Sequence, residues 1–191
     1  MPPKVTLFAA LLTLAAAPAL AQGTPLAISG TIETLDSTAL TLRNAETGIV
    51  ERFALAPNLL VLENKPATLA DIRANDFIAS AAMRGTDGKL HSTELRIFPE
   101  ALRGVGEGQR PMADASRTMT NATVTGAAIT NGSNTITVKF AAGTSELVVD
   151  PGIPVIRIQP AERALLHPGS QVRLQGQRNA EGATATRITL Q

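Results

Sequence analysis

Apolar and polar residues alternate with a period of two in two long stretches, and that recurrence constrains the fold more than any other feature. Ile28, Gly30 and Ile32, then Leu40 and Leu42, then residues 50–55, 77–83 and 91–98 read as strands that turn one face inward. Turn-forming clusters separate them: Asp36-Ser37, Asn44-Ala45-Glu46-Thr47-Gly48 and Gly85-Thr86-Asp87-Gly88. Residues 59–62 add a short apolar piece. Residues 66–73 predict a brief helix, with Pro66 in its first turn and Leu69, Ala70 and Ile72 facing inward. Ala56-Pro57-Asn58-Leu59-Leu60-Val61-Leu62 is echoed by Asp150-Pro151-Gly152-Ile153-Pro154-Val155-Ile156, and Pro66-Ala67 by Pro160-Ala161, at an offset of 94. The same offset carries Ile72 onto Leu166 and Ile78 onto Val172, and Leu40-Thr41-Leu42 answers Ile136-Thr137-Val138.

Five or six short strands with a helical turn before the last two is the order of a small OB-like barrel. The expected fold is therefore all-β: two tandem OB-like β-barrels, each with one short helix, spanning residues 22–98 and 122–191. A Gly/Arg/Ser-rich linker, residues 99–121, joins them. A plain β-sandwich is the competing arrangement.

Ahead of the strands, Lys4 precedes an apolar and small-residue run that ends in Ala19-Leu20-Ala21. One positive charge, a short apolar core and a small-x-small site are the layout of a secretory signal peptide, expected to be cut after Ala21. Pro18 interrupts the run well short of the roughly 20 residues a bilayer span needs. No Cys follows it, so lipid attachment at a processed cysteine is excluded. The alanine-rich, arginine-over-lysine style is bacterial, which makes the expected destination the periplasm.

Removing that leader also removes Lys4 and leaves 16 basic and 16 acidic side chains. A balanced surface gives no electrostatic footprint for nucleic acid or anionic lipid. The chain has no Trp and no Tyr, so it lacks the exposed rings on which bases or sugars stack. With no Cys, disulfides, zinc–thiolate sites and thiol chemistry are all ruled out.

The pattern Ile28-x-Gly30-x-Ile32, Leu40-x-Leu42, a turn, Ile78 and Leu95-x-Ile97 resembles small β-barrel domains of unknown function, often repeated in exported bacterial proteins. Val124-x-Gly126 through Val172-x-Leu174-x-Gly176 to Ile188-x-Leu190 resembles them more closely. The segment from Phe98 to Gly108 is similar to a stretch shared by alphaproteobacterial exported proteins. The resemblance implies a fold and no catalytic residue; its link to metal transport in some members implies at most an accessory role.

Arg103-Gly104-Val105-Gly106-Glu107-Gly108-Gln109-Arg110-Pro111 is the most unusual local run. Its glycine spacing suggests a phosphate loop, but no βαβ unit surrounds it and Pro111 follows where a helix would start. Glycines that allow a turning linker explain it more simply; the sharper reading is a small anion or partner site on Arg103 and Arg110, oriented by Glu107. His91 and His167 lie in no metal-ligand spacing. Met112 and Met119 flank Asp114 without an adjacent His, a thin basis for copper. No Ser lies in a nucleophile-elbow context, and acid pairs such as Glu46/Glu51 and Asp71/Asp76 fall in or beside turns.

The expected function is a non-catalytic periplasmic binding or scaffolding protein. It would have no cofactor or metal, and would act on another envelope protein or a small anion. Metal or anion handling, or an enzyme with a dispersed active site, are the alternatives. Mass spectrometry of the protein recovered from cells should find a chain beginning at Gln22; an intact Met1 would refute the leader.

Overall fold

Side chains that alternate between water and an apolar interior favour strands, and strands dominate this molecule. The computed structural model describes residues 23–130 and 133–191; the signal-peptide reading of residues 1–21 lies outside them. Twelve strands follow in order: β1 (Thr24–Leu35), β2 (Ala39–Asn44), β3 (Val50–Ala67), β4 (Phe77–Arg84), β5 (Leu90–Ile97) and β6 (Gly108–Pro111) come first. β7 (Arg117–Thr130), β8 (Ser133–Phe140), β9 (Gly143–Val149), β10 (Val155–Pro160), β11 (Gln171–Asn179) and β12 (Gly182–Leu190) complete the chain. The fold is all-β, and among the described residues no helix is long and apolar enough to cross a membrane.

The expected short helices are not present. In their place stand 3-10 turns of three residues each, Leu69–Asp71 and Arg163–Leu165. Pro66 and Ala67 stay extended because β10 holds them, with Ile156 opposite Pro66 and Val155 opposite Ala67. Only one turn remains, and the Asp71 carboxylate pins it by accepting the Thr68 backbone N–H and hydroxyl, each at 2.8 Å. Leu69 and Ile72 pack against the core as expected, while Ala70 is exposed. The apolar piece at residues 59–62 belongs to β3, which is one continuous strand. Pro57 fits inside it because the register with β12 shifts between Leu55 and Leu60, so no ladder donor is lost there.

The strands close into five-membered rings. β12-β11-β1-β2-β3 is sealed by parallel pairing of β3 with β12, a closed five-stranded barrel. β5-β4-β7-β8-β9 is sealed likewise by parallel pairing of β5 with β9. Pairing thus crosses the expected boundaries: the first three strands close on the last two, and β4–β5 close on β7–β9. Both interiors are hybrids. Ile32, Leu42 and Phe53 pack with Val172, Leu174 and Ile188, and Ile78, Leu95 and Ile97 pack with Val124, Val138 and Leu147. Residues 99–121 are more than a linker, since they hold a 3-10 turn, β6 and the start of β7.

The antiparallel pair of β3 and β10 joins the rings, and its register matches the offset read from the sequence. Asn64 lies opposite Ile158, 94 residues on. Parallel contacts repeat at nearly that spacing: Leu95 lies beside Val155 and Ile188 beside Val61, the two valines 94 residues apart and their partners 93. Gly176 permits the close approach of β12, because a Cβ there would collide with the Thr184 carbonyl.

With each core drawn from both halves, denaturant should unfold the protein in a single transition. Phe53→Ala and Leu95→Ala, one per ring, should each lower that common transition by about 3–5 and 2–5 kcal/mol. Two resolved transitions, with each variant moving only one, would refute this coupling.

Candidate functional site

A hollow sits at the mouth of the first ring, and a tight turn shapes it. The Asn44 side-chain carbonyl accepts the N–H groups of Glu46 (2.8 Å) and Thr47 (3.1 Å). Gly48, at a φ of 71°, donates its N–H to the Asn44 carbonyl at 2.9 Å. The turn delivers Ile49 to the rim with 65% of its surface in water, unusual for an aliphatic side chain beside a core; Val50, on the opposite face of the strand, is also exposed. Below the rim lies a cavity of about 270 Å³ whose apolar wall is Ile28, Leu42, Ile49 and the fully buried Phe53. Its polar wall includes Glu51 and Arg178, which are paired at 2.5 Å. That pairing holds the Arg178 guanidinium above its ordinary pKa. A cavity of this size lies just below the range of drug-sized ligand sites, and suits one or two side chains.

The three residues proposed from the sequence do not share one pocket. Arg103 forms a two-pronged pair with Glu100, Nε to Oε1 at 2.7 Å and Nη2 to Oε2 at 2.8 Å, and also binds the Asn75 carbonyl at 2.9 Å. Arg110 turns back to donate to the Gly106 carbonyl at 2.8 Å. Glu107 accepts the Ala141 N–H at 3.0 Å and lines a shallow groove of about 420 Å³ with Asn75, Thr123, Lys139 and Phe140. Arg103 approaches that groove only through Asn75. Gly104, Gly106 and Gly108 have φ of 79°, 61° and 124°, so the glycines carry the chain through left-handed conformations. Asp114 closes a local turn on the Ser116 N–H and hydroxyl, at 3.0 and 2.7 Å.

One cluster was hidden from the sequence. His91 Nδ1 faces Asp150 Oδ2 at 2.9 Å, and Nε2 lies 3.2 Å from both Asp87 carboxylate oxygens. Asp87, four residues ahead in the β4–β5 turn, was legible as a neighbour; Asp150, at the end of β9, was not. Gly85 leaves the space, since a Cβ there would press on the His91 ring and Asp87. The hydrogen bond to Asp150, then that to Asp87, raises the His91 pKa, while the Lys89 N–H lowers that of Asp87. Carboxylates at both nitrogens favour the protonated ring over the neutral one. Among the described residues no group of three or more His, Asp or Glu side chains is arranged to hold a metal ion. His167, by contrast, bonds the Pro168 carbonyl at 2.9 Å beside the exposed surface.

The His91 cluster ties the β4–β5 turn to β9, and its charge should show in stability. A raised folded-state pKa means the stabilisation is complete below the ordinary histidine value near 6.5 and is lost as pH rises through the raised value. Melting temperature measured across that window should fall for the wild type relative to His91→Asn. Parallel curves for the two proteins would refute the latch.

No protein-family model, curated protein or solved structure matches the chain, so its sites are judged on their own geometry.

Proposed function

We propose that this chain is a non-catalytic binding or scaffolding protein of the periplasm, exported by its leader and built from a duplicated OB-like unit. Each ring runs first-second-third-fifth-fourth strand and back to the first, the OB order, with the last hairpin exchanged between copies. The matched registers at an offset of 94 support duplication. One observation carries the binding role: the exposed Ile49 borders a hollow floored by Phe53. Apolar surface left in water beside a concavity favours a partner's side chain over free solvent.

A second reading rests on Arg187. It is partly buried, and burial followed by the nearby Arg173 lowers its pKa. Arg173 pairs with Thr189 and Arg187 with Gln175, so the two guanidinium side chains are diagonal neighbours on β11–β12. Like charges so placed would favour a bound anion, which supports anion handling as the alternative.

Immobilised protein exposed to periplasmic extract should retain a discrete partner, and Ile49→Asp should reduce that retention about tenfold or more by placing a charge at the rim. Phosphate or sulfate should leave the melting temperature unchanged. Equal retention by wild type and Ile49→Asp, with stabilisation by the anions that Arg187→Gln abolishes, would replace the first reading with the second.

A further inference from the structure

The two rings differ at one place, the free side of their first strand. In the second ring β7 pairs with β4 on one side, and on the other β6 covers it, Gly108 opposite Asn121 and Arg110 opposite Met119. In the first ring β1 pairs with β11 over residues 24–31, but with β2 only from Gly30 onward. The Ser29 carbonyl takes the Ala45 N–H at 2.9 Å. By the alternation of a strand, the Ala27 N–H and carbonyl point to the same side. Among the described residues no strand pairs with them. Ala27 and Ser29 are both exposed.

Strand registers relate the two rings position by position. The bulge of β1 between Ile32 and Thr34 matches that of β7 between Val124 and Gly126, so Ala27 corresponds to Met119, Ile28 to Thr120 and Ser29 to Asn121. The pairing of β2 with β3 and of β8 with β9 sets Glu51 against Ser145 and Phe53 against Leu147. In the second ring the β6 side chain Gln109 bonds Thr120 Oγ1 at 3.0 Å and Ser145 Oγ at 3.1 Å. Its counterpart in the first ring is the hollow lined by Ile28, Glu51 and Phe53. One ring holds a strand and an inserted side chain; the other holds a bare edge and an unfilled cavity at the equivalent positions.

We propose that the β1 edge receives an extended segment of a partner protein, antiparallel to β1, with an aliphatic side chain seated in the hollow. The proposal deepens the binding-module reading and rests on it. β6 is the template for the occupant: four residues suffice to cover the edge. The seat has changed chemistry, from Thr120 and its hydroxyl to Ile28, so it suits an aliphatic side chain where the second ring takes Gln109. Main-chain hydrogen bonds would supply affinity and the hollow specificity, as in strand addition generally. A second copy pairing through its own β1 would bring Pro25, which has no N–H to donate, against the same edge.

The probe is a synthetic peptide copying residues 107–112 with leucine in place of Gln109, added to the chain beginning at Gln22. Amide exchange followed by NMR should slow at Ala27 and Ser29 by about tenfold or more at saturating peptide. The unaltered glutamine peptide should bind several-fold more weakly. Ala27→Pro removes an outward-facing donor and should abolish the protection without changing the circular dichroism spectrum or melting temperature, whereas Ile49→Asp should weaken binding. No protection by the leucine peptide, or protection that Ala27→Pro leaves intact, would overturn the proposal. So would protection without peptide that rises with protein concentration alongside a dimer mass. Protection already present in the chain retaining residues 1–21 would assign the edge to the protein's own N-terminal segment and overturn it equally. Partner retention that still depends on Ile49 after the peptide fails would leave the binding-module reading standing and sink only the strand slot.

Discussion

The structure depends on the antiparallel pairing of β3 with β10. β3 is 18 residues long, and at about 3.3 Å per residue it runs out of the first ring into contact with the second. β12 accompanies it as far as Glu63, and its last residues, Asn64 to Ala67, have a partner because β10 meets them from the opposite direction. Once that pair forms, the chain after Ala67 starts β4 in the second ring, and the chain after Pro160 starts β11 in the first. The exchange of hairpins follows from this crossing. Leu62, Leu102 and Ile158 bury the pair, so the junction is itself a small apolar core. Asn64 Oδ1 is buried there with no hydrogen-bond partner, a cost that the surrounding apolar contacts offset.

Polar groups at the periphery reinforce the crossing. Arg163 reaches from the second half to the Ser37 carbonyl at 2.7 Å, across the turn between β1 and β2. Arg157 donates to the Asp71 carbonyl at 2.8 Å, and His91 joins Asp150 at the seam of the second ring. These contacts link residues far apart in the chain, and they lie where water screens them, so each adds little energy. Their value is specificity. They favour the exchanged hairpins over self-closed halves whose hydrocarbon interiors would be chemically alike.

Much of the local order was legible. The strands near residues 28–35, 39–43 and 91–98 lie where the period-two pattern puts them, because alternate burial on a closed sheet favours that alternation, whereas β4 lies where expected but is buried on both faces from Phe77 to Ala82. The short helices were misread for an equally local reason. Pro66 followed by Leu69 and Ile72 suits a helix, but β10 supplies a strand partner that no local pattern announces. The Arg103, Glu107 and Arg110 run was visible as an oddity, and the structure spends each residue on a nearby backbone or side-chain partner. The hollow at Phe53, the bare edge of β1 and the His91–Asp150 contact had no local signature. His91 and Asp150 are 59 residues apart, the hollow needs Arg178 from a distant strand beside residues 28–53, and the bare edge is defined by which strands pair elsewhere.

The sequence by itself determined that this chain would form short twisted strands with hydrocarbon interiors, because burial on a two-residue period is a property of neighbours along the chain. It also holds similar apolar and Pro-Ala patterns at an offset of 94. Only the tertiary structure decided which hairpin closes which ring. The two rings offer similar apolar edges, so strand preference cannot choose between them, and the choice falls to long-range pairing such as that of β3 with β10.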